Sequence, residues 1–171
     1  MELMEAISKR RSVRKYKPDP VPEDAIRYVL EAARLAPSWA NSQCWHFIVV
    51  TDQNAKERVA QAGNKWIAEA PVIVVACADP AKSGTKGDQP YYLLDIGIAM
   101  EHLMLAATEK GLGTCWIGWF KEDIVKKALG VPDNFRVVVS TPLGYPAEAP
   151  PSRNRKSLEE IVSYNRFAQP S

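Results

Sequence analysis

Residues 71–78 read P-V-I-V-V-A-C-A, and the reading of this run decides the fold. From Ala70 to Ala78 there is no charged side chain. The run is far shorter than the roughly 20 apolar residues a membrane-spanning helix needs. It is rich in β-branched residues, which favour the extended backbone. A short apolar run without polar alternation, stopped by Asp79 and Pro80, is a strand buried in a core.

Immediately downstream, D-P-A-K-S-G-T-K-G-D-Q-P (79–90) carries two prolines and two glycines among polar residues and reads as a loop. Tyr91 to Lys110 then reads as a long helix that is apolar almost all round, with Leu93, Leu94, Ile96, Ile98, Met100, Leu103, Met104 and Leu105. Such a helix belongs at the centre of a core or in a subunit interface. Gly97 and Ala99 permit close approach by a neighbour, and Gly111 is placed to cap the C-terminus. Upstream, W-H-F-I-V-V-T (45–51) is a second strand, followed by a helix over 53–69 with a break at Gly63. Pro22 suits the entry to a helix from Glu23 to Ala36, whose Ile26, Leu30 and Ala33 share one face. A first helix around Leu3 and Ile7 ends near Arg10 or Arg11.

Toward the other end, T-C-W-I-G-W-F (114–120) is a short strand and turn, Lys121–Leu129 a helix closed by Gly130, and Arg136–Leu143 a strand. A proline-rich extended segment (146–151) leads to a last helix, Leu158–Tyr164, with Ser157 and Glu160 as its capping box. Helices alternating with about four strands imply an α/β or α+β layered architecture. One domain spanning 1–171 is expected from the length. The proline-rich excursion is long enough to carry the C-terminus across a partner subunit.

The chain has 171 residues, 46% hydrophobic and 25% charged, with a formal net charge of only +2. A protein that lives on nucleic acid carries a broad basic excess, so nucleic acid is not the expected partner. Cys44, Cys77 and Cys115 form no CxxC pair, which supports neither a disulfide framework nor a zinc knuckle and fits a reducing compartment. The N-terminus carries acids, Glu2 and Glu5, where a signal peptide would be basic and apolar. A soluble, cytoplasmic protein without a membrane segment is expected.

The positive charge is local. K-R-R-S-V-R-K (9–15) places five cations in seven residues, and S-R-N-R-K (152–156) places three more near the other end. A helix C-terminus tolerates cations, so part of the first cluster has a bland explanation. Arginine also matches phosphate oxygens bidentately, and Arg10, Arg11, Arg14, Arg153 and Arg155 converge on one phosphate if the C-terminal segment returns to the first helix. G-L-G-T-C-W-I-G (111–118) is not a dinucleotide fingerprint, because Trp116 stands where a glycine is required and the segment follows a helix. His46 and His102 are not spaced for a metal, and no metal site is expected. P-S-W-A-N-S-Q-C-W (37–45) and T-C-W-I-G-W (114–119) set donors and glycine among large rings. A planar ring with a polar edge needs apolar faces and a few fixed hydrogen-bonding groups, and a phosphate joined to such a ring describes flavin mononucleotide, FMN.

Five blocks in order then carry a resemblance: R-R-S-V-R-K-Y (10–16), A-P-S-W-A-N-S-Q-C-W-H-F (36–47), E-A-P-V-I-V-V-A (69–76), L-A-A-T-E-K-G-L-G-T-C-W-I-G (105–118), and L-G-Y-P-A-E-A-P (143–150) with R-x-R-K-S-L-E-E-I-V (153–162). Together they resemble the nitroreductase family of FMN-dependent oxidoreductases. The resemblance implies an α+β fold with a central mixed β-sheet flanked by helices, a homodimer with FMN at the interface, and a C-terminal segment extending onto the partner subunit. It implies that Arg10, Arg11, Ser12 and Arg14 form the first FMN-binding segment and that Arg153 and Arg155 reach the phosphate. It further implies that Pro37, Ser38, Trp39 and Asn41 form a loop reaching the flavin, partly from the other subunit, and that Ile117 and Gly118 lie by the reactive edge of the ring. Trp39 stands where a small residue is common. Asn64 and Lys65 stand near the place of a lysine that approaches the flavin in larger relatives. The chain is short for the family, with less helical cover over the substrate pocket, and 79–90 is a candidate lid.

The implied chemistry is the flavin's own. NADH or NADPH gives a hydride to the flavin and leaves, and an electron-poor acceptor such as a nitroaromatic or quinone follows in the same place, a ping-pong scheme. No side chain is then an obligatory acid or base, and Arg14 is the cation expected to favour the reduced ring. The same scaffold also suits enone reduction, reductive dehalogenation, flavin fragmentation, or a non-catalytic flavin-binding module.

Overall fold

In the computed structural model, which describes residues 1–167, the run at 71–78 is the second strand of a four-stranded sheet. In chain order the strands are β1 (Trp45–Val50), β2 (Val72–Ala78), the two-residue β3 (Thr85–Lys86) and β4 (Gln89–Pro90), β5 (Gly113–Thr114) and β6 (Arg136–Gly144). The helices are α1 (Leu3–Lys9), α2 (Glu23–Arg34), α3 (Gln53–Ala60), α4 (Tyr91–Glu109), α5 (Glu122–Leu129) and α6 (Leu158–Ile161). The main sheet runs β1-β2-β6-β5. Its ladders are antiparallel, and the parallel pairing among the described residues is the isolated bridge of Ser12 to Thr114, outside the named strands.

Every residue of β2 is buried, and the strand's period of two divides them between two cores. Val72, Val74, Ala76 and Ala78 face a cluster with Val29 and Ala33 of α2 and Ile96, Met100 and Leu103 of α4. Ile73, Val75 and Cys77 face a second cluster with Val59 of α3 and Val125 of α5. The sheet is therefore a middle layer with helices on both faces, the α+β arrangement expected from the sequence.

The apolar helix at 91–110 packs one flank into the core and leaves the other exposed. Ile96, Ala99, Met100, Leu103 and Met104 are buried, whereas Leu93, Leu94 and Ile98 remain exposed. A methyl group built at Gly97 meets nothing within 4 Å, so that flank is open in the single chain. The 53–69 segment ends as an α-helix at Ala60 and resumes as a 3-10 turn at Lys65–Glu69, with Gly63 at φ 149 between them. The last helix stops at Ile161, shorter than its expected end at Tyr164. Its side chains are exposed, and four residues without a packed face do not hold a longer helix. The 79–90 loop contains the β3–β4 hairpin, closed around Gly87 at φ 58.

Candidate functional site

The two basic segments meet. Arg10, Arg11, Arg14 and Lys15 line one cavity of about 840 Å³ together with Arg153 and Arg155, and Glu148 is its one acidic lining residue. Of these six cations only Arg10 has an ion-pair partner among the described residues, Glu101 of α4 at 3.6 Å. Arg11, Arg14 and Arg155 instead direct guanidinium N–H groups at backbone carbonyls of residues 8–12 and 153–154. Five cations facing one carboxylate give the cavity a positive potential of the kind that suits a small, highly charged anion.

Short-range packing fixes the first segment. Its chain leaves α1 and pairs with β5: Val13 N–H donates to the Thr114 carbonyl at 2.9 Å. A methyl group at Gly113 would stand 2.9 Å from Val13 Cβ, so glycine there lets the basic segment lie directly on the sheet. The Tyr16 hydroxyl donates to the Val13 carbonyl at 2.6 Å, and burial pushes this phenol above its ordinary value. Arg14 N–H donates to Glu148 at 2.7 Å, and Ala147 N–H donates to the Lys15 carbonyl at 2.9 Å. These two bonds bring the far end of the chain to the first helix. Beneath lies Cys115, whose thiol burial pushes up, with Arg14, Ser12 and Arg10 pulling the other way.

Pro37, Ser38, Trp39 and Asn41 are not among the residues lining this cavity. They form a separate, strained turn. Ala40, Asn41 and Gln43 all have positive φ, at 46°, 56° and 47°, without a glycine among them. Left-handed backbone costs an L-residue about 1–2 kcal/mol, so such a turn needs external support. Gln43 N–H donates to Ser38 Oγ at 3.0 Å, and Trp39 N–H donates to the Asp95 carboxylate at 2.8 Å. Ser42 Oγ is the one buried side-chain polar atom without a partner among the described residues.

Ile117 and Gly118 lie on a third stretch. Ile117 exchanges both backbone hydrogen bonds with Ser140 of β6, at 2.9 and 3.0 Å. Gly118 lies between two exposed rings, Trp116 and Trp119, which are 44% and 92% exposed. Asn64 holds this stretch from behind, its Nδ2 donating to the Trp119 carbonyl at 2.8 Å. Within one chain the structure thus joins the two basic ends in one cavity and leaves the 37–41 turn outside that lining.

Sequence reasoning passed over two residues. Glu148 closes the basic cavity, and a lone acid in a proline-rich segment gave no distinctive signal. Asp95 is 3% exposed and was available to reasoning: an acid inside an apolar helix must be satisfied by something. Among the described residues no group of three metal-ligating side chains is present, and no helix is long and apolar enough to cross a membrane.

Comparison with known proteins follows this geometry. The model of the nitroreductase family matches residues 7–63 and 60–145. An NADH dehydrogenase of Thermus thermophilus is 31% identical over 190 residues, covering 92% of this chain and 93% of that protein. The crystal structure of a nitroreductase family protein from Clostridium novyi NT superposes with a TM-score of 0.84 at 37% identity, over 99% of this chain and 97% of that one. An FMN-dependent nitroreductase from Clostridium difficile R20291 superposes with a TM-score of 0.85 at 30% identity, over 96% and 99%. With sequence match and superposition both spanning nearly its whole length, the chain belongs to the nitroreductase family.

Proposed function

We propose that the protein is an FMN-dependent oxidoreductase that takes a hydride from NADH or NADPH and delivers it to an electron-poor acceptor such as a nitroaromatic or quinone, in ping-pong order. The observation that carries this reading is the cavity in which arginines from residues 10–14 and 153–155 face one another, all but Arg10 without an ion-pair partner among the described residues. Its donor set fits the phosphoryl end of FMN: guanidinium forks match phosphate oxygens, and one dianion offsets part of the charge excess.

When bound, FMN supplies the two-electron transfer itself. The chain supplies binding and orientation. Arg10, Arg11, Ser12, Arg14, Arg153 and Arg155 hold the phosphoryl group. Pro37, Ser38, Trp39 and Asn41 offer the ring a wall, and Ile117 and Gly118 offer it backbone. Because the 37–41 turn lies outside the cavity lining, this reading places the two halves of each site on different copies of a homodimer. The exposed Leu93, Leu94 and Ile98 on α4 and the exposed apolar residues of the C-terminal arm, Leu158, Ile161, Tyr164 and Phe167, support that assembly. The unpartnered Ser42 hydroxyl is a further group for a partner or ring to satisfy. Cys44 and Cys77 are poorly placed as nucleophiles: burial pushes both thiols up to about 11. Three buried free cysteines suit a reducing, cytoplasmic setting.

The test is a visible spectrum of the purified protein after incubation with FMN and gel filtration, followed by anaerobic titration with NADH and NADPH. A flavin band that co-elutes with the dimer and bleaches on titration is expected, with parallel double-reciprocal plots when acceptor and nicotinamide are varied. Protein that retains no FMN overturns the proposal.

A further inference from the structure

Asp95 sits on the first turns of α4, on a helix otherwise chosen for apolar packing, and is 3% exposed. Its carboxylate has three donors from three different segments. Trp39 N–H donates to Oδ1 at 2.8 Å. Ser83 Oγ donates to Oδ2 at 2.9 Å, and the Cys44 thiol donates to the same oxygen at 3.5 Å. The first belongs to the strained 37–43 turn, the second to the 79–90 loop, the third to the entry of β1. A buried carboxylate is costly unless fully hydrogen-bonded, and here the bonds that satisfy it are those that pin two loops together.

A second contact joins the same loops. The Trp39 indole stacks on Tyr91, ring centroids 6.4 Å apart and planes 14° from parallel. The indole also lies against Gly84. A methyl group at Gly84 would overlap the indole, Cε2 most deeply, with Cζ2 at 2.6 Å and Cδ2 at 2.8 Å. Gly84 is not held at positive φ, so what excludes a side chain there is the ring alone. Tyr91 N–H donates to the Gly84 carbonyl at 2.9 Å, which fixes the glycine against the start of α4. The indole thus touches both a loop backbone and a helix ring while remaining 47% exposed.

We propose that Asp95 is a positioning residue: it locks the 37–43 turn and the 79–90 hairpin into one unit, and the Trp39 indole seated in that unit sets the width of the acceptor pocket, admitting flat acceptors and rejecting bulky ones. This rests on the FMN oxidoreductase reading given above. The turn's three left-handed residues would relax if Trp39 lost its anchor, and the hairpin, exposed along β3 and β4, is held to the turn by Ser83 and Gly84. The lock therefore acts on selectivity more than on global stability.

The experiment uses the full chain with four variants: Gly84→Ala, Ser83→Ala, Asp95→Asn and Asp95→Ala. Activity is read as the ratio of kcat/KM for a flat nitroaromatic to that for an acceptor of similar potential carrying bulky substituents. Gly84→Ala is expected to change that ratio at least ten-fold, read at saturating FMN so that a loosened ring wall does not count as selectivity. Ser83→Ala is expected to move it in the same direction. Asp95→Asn keeps an acceptor for Trp39 N–H, and an amide that Ser83 Oγ can accept from, so it should retain much of the wild-type ratio that Asp95→Ala loses. A residue that only stabilised the fold would lower both acceptors alike. The second readout needs no flavin: hydrogen exchange of amides in 37–43 and 79–90 should speed up together in Ser83→Ala and Asp95→Ala, with α3 and α5 unchanged. An unchanged acceptor ratio in Gly84→Ala, or exchange that rises in one loop without the other, overturns the proposal. If the wild type binds no FMN, the function reading fails, and the exchange data alone decide whether the two loops are locked.

Discussion

Replacing Arg153 and Arg155 together by alanine asks whether the two ends of the chain share one anion. Neither guanidinium has an acidic partner among the described residues, and Arg155 Nη1 reaches only the carbonyls of Arg153 and Asn154, each at 3.3 Å. The ligand-free protein should not miss them: surface changes of this kind stay within about 0.5 kcal/mol. Bound FMN should. A hydrogen bond to a charged group contributes about 1.5–3 kcal/mol, and exposure puts these two at the low end of that range. Losing both removes about 3 kcal/mol, which at 1.4 kcal/mol per decade is on the order of a 100-fold weaker Kd. Quenching of FMN fluorescence on titration with ligand-free protein measures this directly. Thermal melts give an independent check. At FMN equal to 100 times the wild-type Kd, the wild type gains about 2.7 kcal/mol, or roughly 5–10 °C for a chain of this size. The double variant, near its own Kd, gains about 0.4 kcal/mol and hardly shifts. Arg34→Ala is the charge control, because Arg34 pairs with Glu31 at 2.6 Å on α2, outside the cavity lining. A double variant whose Kd stays within three-fold of wild type would refute the shared anion, and an equal loss in Arg34→Ala would reduce the effect to net charge.

Gly113→Ala should push Val13 and the basic segment off the sheet, because the new methyl group meets Val13 Cβ itself at 2.9 Å; FMN affinity and urea stability should fall together, the latter by about 1–3 kcal/mol, and adding Val13→Gly, which removes that Cβ, should recover part of the FMN affinity. Glu122 ties α5 to β6 by accepting from Arg136 Nε at 3.0 Å and Val137 N–H at 2.9 Å; burial pushes its carboxyl up, but the Arg136 and Val137 bonds with the Lys126 charge outweigh that and hold it below its ordinary value. A depressed folded-state value stabilises above the unfolded value and is lost as pH falls through the folded one, so Glu122→Gln should cost about 1 kcal/mol at neutral pH and converge on wild type as urea midpoints are followed below the ordinary carboxylate value of 4.5. The buried Cys44 and Cys77 thiols, raised to about 11, should resist a disulfide reagent at pH 7.5 in the folded protein and react fully in urea; fast labelling of either in the native state would show that those core positions open.

The sequence was most legible where a single physical demand set both composition and place. β2 must be buried on both faces, so its run is uninterrupted by charge, and the strand is found within one residue of where that run begins and ends. The helix that follows was equally plain, because nineteen residues of that composition have few other uses. Legibility fell where local signals met no packing: the helix after Ser157 has its expected bond, Ser157 N–H to Glu160 Oε2 at 2.7 Å, yet ends after four residues. A cap satisfies a helix start, but only a buried face sustains its length. The β3–β4 hairpin was hidden for a related reason. Its strands are two residues long and bury little, so no alternation marks them.

The site divides along the same line. Charge is visible in a sequence at any distance, and the convergence of residues 10–14 with 153–155 could be inferred because isolated arginine clusters at both ends share one chemical appetite. The 37–43 turn offered no comparable sign. Its conformation would ordinarily announce itself by glycine, and here Ala40, Asn41 and Gln43 occupy the left-handed region under constraint from a residue more than fifty positions away. Asp95 supplies that constraint through one oxygen and spends the other on Ser83 and Cys44. Neither loop sequence contains the information alone, and the helix contains it only as one acid among apolar neighbours. Trp39 then follows from geometry: a small residue would leave Gly84 free to be anything, whereas the indole makes glycine necessary at 84. Because the indole and the glycine occupy one another's space, Gly84→Ala should be far less harmful in a Trp39→Ser background than alone.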